Sequence, residues 1–372
     1  MRRDNTIEAF FALVRAGLWE QEVSLSSYCD IDFLDIYRLA EEQSVLGLVA
    51  AGLEHVTDVK VPQADVFQFV GYALQLEQQN KAMNSFIAKL IDKMRKAGIY
   101  TLLVKGQGVA KNYERPLWRA CGDVDLFMSD ENYRKAKGLL LPLASSSKPE
   151  GLRELQLPMT IEGFVVELHG HLYGGLSHKI DNELQAVQVD TFNNGNVRSC
   201  EITKTQVFLL SIENDVFYVF SHIIQHFFKG GIGLRQICDL CRLLWVYKDS
   251  LDVKKLEMRI HNAGLLSEWK AFGSFAVEYL GMSEKMIPFY SADKRWKQKA
   301  RSIRNFILMS GNFGHNRDNS YYSKYPYILR KAVSLGRRAK DALHHFGIFP
   351  IDSMRFFPNL VFNGLRSAIN GE

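Results

Sequence analysis

At residue 99 the hydrophobic period of the chain changes, and that change limits the possible fold more than any other feature. Before it, apolar residues recur at helical spacing: Ile7, Phe10, Phe11, Val14 and Leu18, then Leu34, Ile36, Leu39, Val45, Leu46 and Leu48 within Asp32 to His55. After Pro62, a proline-free stretch rich in Gln, Leu, Lys and Ala runs from Ala64 to about Ala97. Gly98 is placed to end it with a left-handed cap. Then come three short, apolar, β-rich runs: Tyr100 to Val104, Val124 to Met128 and Phe164 to Leu168. A helical pattern, Asn132 to Leu140, separates the last two. From about Glu201 helical patterns return in Gln206 to Phe228, Leu234 to Tyr247 and Leu251 to Ala263. This order predicts an α+β fold, a small mixed sheet with its own helices flanked by N- and C-terminal helical regions. The expected units are residues 1–98, 99–205 and 206–372.

Composition excludes little. A chain of 372 residues with 47% hydrophobic and 23% charged content is long enough for a sizeable core. The net charge of +5 is mild, and it suits a protein that handles polyanions without requiring one. Met1-Arg-Arg-Asp-Asn leads into an amphipathic stretch, and no apolar run reaches the roughly 18 residues of a membrane span. The default expectation is a cytoplasmic protein. Five cysteines (29, 121, 200, 238, 241) form no regular framework, which fits free thiols in a reducing compartment. Cys238 and Cys241 have CxxC spacing with no second pair to complete a zinc site, and they read as one turn of a buried helix. Residues 324–345 hold six Lys or Arg and one acid, a pattern expected of a solvated helix face or, failing that, of contact with acidic lipid or nucleic acid.

The second β-rich run carries the chemistry. In Gly122-Asp-Val-Asp-Leu126, Asp123 and Asp125 are one residue apart on a strand, which puts both side chains on one face about 6.6 to 6.8 Å apart at the backbone. Val124 points the other way, into the core. Two carboxylates so placed can converge on shared divalent ions, and phosphoryl transfer from a nucleoside triphosphate needs such ions. Acid pairs at this spacing are also common on solvated surfaces, but this one lies in an apolar strand behind Lys105-Gly106, Arg119 and Gly122. Alternation puts Val165, Glu167 and His169 on one face of the third run, so Glu167 is the candidate third acid; a half-exposed sheet would tolerate it too.

Taken together, Lys105-Gly106, then Tyr113-Glu-Arg-Pro-Leu-Trp-Arg-Ala-Cys-Gly-Asp-Val-Asp-Leu126, then Val166-Glu-Leu-His169 resemble the uncharacterised bacterial nucleotidyltransferase family. That family belongs to the DNA polymerase β-like nucleotidyltransferase superfamily. The resemblance covers most of residues 5–250 and includes His222, His226 and the Arg235 to Leu244 region. It implies a nucleotidyltransferase-type sheet, Mg²⁺ or Mn²⁺ as cofactor, and an NTP as co-substrate. Asp123 and Asp125 are then metal ligands, and Glu167 is either a third ligand or the group that accepts the acceptor's proton. Lys105 and Gly106 stand where better-known members of the superfamily carry a Gly-Ser phosphate loop, a departure from that form. Lys105 could meet the triphosphate as a point charge, with the Gly106 backbone approaching it closely, or be a surface lysine at a strand end. Arg119 could bind a phosphate, orient a carboxylate, or pair with Asp123. His169 is expected beside a metal-bound carboxylate, as a hydrogen-bond partner.

His222 and His226 have the i,i+4 spacing of a zinc-protease helix, but the glutamate that should follow the first histidine is Ile223. They are expected instead at the interface between the C-terminal helices and the sheet. Tyr113, Trp118 and Tyr173 could stack on a base or sugar, or be core. The expected function is transfer of an NMP from an NTP, through a two-Mg²⁺ carboxylate centre, to a small-molecule, sugar or macromolecular acceptor. The alternative is an inactive nucleotide-binding or regulatory protein on the same fold. A nucleic-acid-binding helical protein, resting on the tail and the pI alone, ranks last.

Overall fold

A computed structural model describes residues 2–151, 155–314 and 327–369. The N-terminal part contains α1 (Arg2–Trp19), α2 (Phe33–Glu42), α3 (Leu46–Glu54) and the long α4 (Gln63–Lys96). Gly98, at φ +69°, closes α4: its N–H donates to Arg95 O and that of Ile99 to Met94 O, each at 3.0 Å. These two bonds satisfy carbonyls the helix end leaves open, and φ > 0 is why glycine stands there.

The sheet follows, as β1 (Leu102–Val104), α5 (Gly106–Ala110), β2 (Asp123–Phe127), α6 (Asp130–Leu140), β3 (Ser146–Ser147), β4 (Gln156–Ile161), β5 (Phe164–His169), α7 (His178–Phe192), β6 (Val197–Ile202) and β7 (Thr205–Leu210). Its seven strands lie in the order β3-β4-β5-β2-β1-β7-β6. Strands β2 and β5 are parallel, as are β1 and β7, while β1–β2, β3–β4, β4–β5 and β6–β7 are antiparallel. The mixed α+β class is therefore as the sequence predicts. The apolar run Gln206 to Phe228 is not one helix. Strand β7 takes its start and α8 (Ile212–Lys229) the rest, so the sheet extends to Leu210, beyond the expected unit end at 205. A run apolar on every side fits a buried strand as well as a buried helix, and Ser211 divides the two.

Beyond α8 come α9 (Leu234–Val246), α10 (Val253–Ala263), α11 (Leu266–Leu280), α12 (Lys294–Ser310), α13 (Tyr327–Ile348) and α14 (Pro350–Ile369). The basic stretch 324–345 falls partly in α13; residues 324–326, and the side chains of Arg330, Lys331, Arg337 and Arg338, lie outside the described residues. No helix among the described residues is long and apolar enough to cross a membrane.

Each face of the sheet meets a different hydrophobic cluster. Leu103, Val124, Leu126, Val166 and Leu168 pack with Met83, Phe86, Ile87 and Leu90 of α4 and with Tyr133 and Ala136 of α6. Leu102, Val104 and Phe127 belong to the other cluster, which also holds Phe10, Leu13 and Val49 from the N-terminal helices and Phe217, Phe220, Leu243 and Phe272 from the C-terminal ones. Helices separated by the whole sheet in sequence thus share one core.

Two glycines set how closely α1 and α3 approach. A Cβ on Gly17 would lie 1.9 Å from the carbonyl oxygen of Leu48, and one on Gly52 would lie 2.1 Å from that of Leu13. Backbone atoms cannot step aside as a flexible side chain can. Gly17→Ala is therefore expected to lower stability by ~1–3 kcal/mol, read as a shifted urea midpoint.

Candidate active site

The parallel register of β2 and β5 places Asp123 opposite Val165, Asp125 opposite Glu167 and Phe127 opposite His169. Their common face, the one turned towards α8, carries the polar groups. Asp125 is only 2% exposed, and its Oδ1 accepts from the Lys105 ammonium at 2.9 Å and meets His169 Nε2 at 2.8 Å. Glu167 accepts from Gln156 Nε2 at 2.7 Å, and its Oε2 lies 3.6 Å from His169 Nε2. Asp125, Glu167 and His169 can each offer one ligand atom, all within 4.8 Å of one another. This cluster of metal-ligating groups, found among the described residues, thus includes His169; Asp123 is outside it, at the start of β2, facing a cleft.

Lys105 ends β1 at φ +58°, and Gly106 follows at φ +42°. A non-glycine residue in that region is strained, and here the strain turns the chain abruptly from β1 into α5 and brings the lysine back over β2. At Gly106 a Cβ would lie 3.2 Å from Cys121 Sγ and 3.3 Å from Asp123 O, so the crossing of the two segments is tight. Lys105 is therefore folded back onto the sheet, its side chain 17% exposed. Its Nζ also lies 5.8 Å from the ring centre of Tyr218, on α8.

The protonation states follow from these contacts. Burial alone would lower the Lys105 pKa, but Asp125, Tyr218 and Asp123 outweigh it and hold the ammonium above its ordinary range. Burial likewise opposes charge on Asp125, and Lys105 and His169 overcome it, holding this carboxyl well below the usual range. For Asp123 and Glu167 the balance reverses: burial and then repulsion from Asp125 raise both. Burial and Lys105 drive His222 well below its ordinary value and His226 to about 3. Both imidazoles are thus pushed towards the neutral form, and their Nε2 atoms lie 3.0 Å apart. His222 lines the cleft, at the helix–sheet interface where these residues were expected.

The cleft, about 290 Å³ in volume, is lined by Lys105, Gly106, Asp123, Asp125 and Arg119 from the sheet segment, Val219 and His222 from α8, and Arg235, Gln236 and Asp239 from α9. Arg119 touches it, but its guanidinium is committed elsewhere. Nε and Nη2 each donate to Asp239 at 2.7 Å, a bidentate pair in which Arg119 is 6% exposed. Of the partners expected for Arg119, the structure shows a carboxylate, and it is that of Asp239, not Asp123. Tyr113 is core, with its hydroxyl donating to Asp239 at 2.7 Å, and Trp118 donates to Glu77 at 3.0 Å. Cys238 and Cys241 are buried free thiols.

The sequence placed Arg235 and Asp239 within the family resemblance without giving either a role, and gave no sign of Gln156. The first two had a readable signal. Arg235, Asp239 and Arg242 fall at i, i+4 and i+7 inside the apolar Leu234 to Tyr247 run, so they form one charged stripe on an otherwise buried helix. Its target could not be read, because Arg119 and Asp239 are 120 residues apart. Gln156 has no such signal, since it opposes His169 only through the register of β4 on β5.

Among curated proteins, none matches the chain. One solved structure resembling it is an antigenic nucleotidyltransferase-like protein from Paracoccidioides brasiliensis, at 13% identity and a TM-score of 0.34, covering 56% of this chain and 94% of that one. That likeness is too distant to bear on the fold or the activity. Residues 20–281, which include the whole sheet, the carboxylate pair and the stripe on α9, match the family described as uncharacterised nucleotidyltransferase, and the chain belongs to that family.

Proposed function

We propose that the protein transfers a nucleoside monophosphate from an NTP to an acceptor. One observation carries this reading: Asp125 and Glu167 stand opposite each other on parallel strands, and Asp125 lines a cleft that also holds Asp123, Lys105 and Gly106. The donor set fits the metal such a reaction uses. Asp123 and Asp125 supply hard oxygen ligands suited to Mg²⁺ or Mn²⁺, and Asp125 already holds a cation, the Lys105 ammonium. Asp123 and Asp125 would hold the metal, which when bound neutralises phosphate charge and the charge that develops during transfer, and Glu167 stays free to take a proton. His169 fixes the orientation of Asp125. Lys105 and Gly106 face the triphosphate. The acceptor oxygen attacks the α-phosphorus in line, its proton passes to Glu167, and pyrophosphate leaves. The raised pKa of Glu167, from burial and Asp125, suits a group that must take up a proton.

The Lys105–Asp125 contact favours a second reading. An internal ammonium on a central carboxylate could substitute for metal in a protein that binds nucleotide without turnover. The two are separated by titrating each NTP with Mg²⁺ and with EDTA while following pyrophosphate release across sugars, small molecules, peptides and nucleic acids. The expected result is NTP binding at least about tenfold tighter with Mg²⁺, with pyrophosphate release in the presence of an acceptor. Equal binding in EDTA would sink the metal centre. Binding equally tight in EDTA, with no pyrophosphate from any acceptor, would favour the second reading.

A further inference from the structure

The charges that line the cleft are not all matched. Lys105 is paired with Asp125, and Arg119 with Asp239. Arg235, in the first turn of α9, is paired with no carboxylate among the described residues. Its Nη1 donates to the Ala120 carbonyl at 3.0 Å, and its Nε is enclosed with no acceptor. Burial, reinforced by repulsion from Arg119, pulls its pKa below the ordinary arginine range. A guanidinium nevertheless stays charged in a protein, so this half-buried cation, with its Nε enclosed, has no ion pair to offset the hydration it has lost. Next to it, Gln236 is 6% exposed; it donates to Asn312 Oδ1 at 2.9 Å and leaves its own Oε1 without a partner. Asp123 faces the same cleft and also has no ion pair among the described residues. An unmatched cation and an unmatched carboxylate in one cleft, not in contact with each other, fit a ligand that brings both signs. A phosphate group accompanied by its counter-cation is such a ligand.

We infer that Arg235 is an oxyanion-binding residue of this cleft and takes a phosphate group of the incoming substrate, with Gln236 beside it to accept a hydrogen bond from the same molecule. The identity of the phosphate rests on the proposed nucleotidyl transfer, but the anion site itself does not. The phosphate belongs either to the NTP or to a phosphorylated acceptor, and the guanidinium fork would grip both alike.

The test uses the full-length protein and inorganic pyrophosphate in EDTA, by calorimetry, so that neither metal nor turnover enters. Wild type is expected to bind, Arg235→Met to bind at least about tenfold more weakly, and Arg235→Lys to fall between, because lysine keeps the charge and loses the fork. Equal affinity of wild type and Arg235→Met would overturn the inference, and so would no binding by wild type at millimolar pyrophosphate. Arg235→Met also removes the contact to Ala120, so wild-type crystals soaked in pyrophosphate give a measurement independent of its folding. Density within hydrogen-bond distance of Arg235 supports the site, and density only elsewhere overturns it. A non-hydrolysable NTP analogue that displaces pyrophosphate competitively assigns the site to the nucleotide; simultaneous binding assigns it to the acceptor. Pyrophosphate held by Arg235 in a protein that never releases it from NTP would defeat the proposed turnover and leave this site standing. Turnover undisturbed in Arg235→Met would do the opposite.

Discussion

Asp123→Asn is expected to lower metal-dependent nucleotidyl transfer by a factor on the order of 10³ or more while leaving the protein as stable as the wild type, or slightly more so. The two halves of this prediction have separate causes. Under the proposed reading Asp123 is a metal ligand, and asparagine keeps its shape but removes the negative charge that a divalent ion requires. The fold does not use that charge: the Asp123 side chain has no hydrogen bond or ion pair among the described residues, and burial and Asp125 both raise its pKa. A folded-state pKa above the unfolded value means that the ionised form disfavours folding at neutral pH, so its removal relieves repulsion. Steady-state pyrophosphate release together with a urea titration checks both halves. Turnover within about tenfold of wild type would remove Asp123 from the metal site. A large loss of stability would show instead that the carboxylate has a structural partner. Asp125→Asn is a less clean probe, because Asp125 also neutralises Lys105 and accepts from His169.

Arg119→Met should behave in the opposite way, lowering unfolding free energy by ~3–5 kcal/mol. Arg119 and Asp239 have side-chain exposures of 6% and 7%, so water cannot replace the lost partner. After truncation Asp239 retains the Tyr113 hydroxyl at 2.7 Å, which cannot offset a full buried charge. Two further contacts tie the same segment: Asn80 Nδ2 donates to Leu117 O at 2.8 Å and to Arg119 O at 2.9 Å. These hold the backbone that leads into β2, so loosening it also disturbs the placement of Asp123. Denaturant titrations of Arg119→Met, Asp239→Asn and the double variant should show the double costing less than the sum of the singles, since removing both charges leaves neither buried alone. A loss below about 1 kcal/mol for Arg119→Met would mean that the pair is weak and that Arg119 is free for a ligand after all.

The sequence alone determined what depends on neighbours along the chain. The helix from Ala64 to about Ala97 and its glycine end were readable because apolar spacing and a φ > 0 cap are local properties. The strand that bears Asp123 and Asp125, and the common face of Glu167 and His169, were readable because side chains alternate strictly along a strand. The family was readable too, since its motifs are short segments whose residue types repeat the same local chemistry. What the sequence left open was pairing across distance. It offered Arg119 three partners, and only packing of α9 against the segment before β2 chose Asp239. It made the run Gln206 to Phe228 a single helix, because hydrophobicity reports burial and not which sheet edge is waiting to be extended. It also could not show that Lys105 lies on Asp125 or that Arg235 is left unmatched, since both depend on which charges the fold encloses together. An ion pair forms wherever enclosure removes water from two opposite charges, and enclosure is a property of the whole core, where helices from both ends of the chain meet over one face of the sheet.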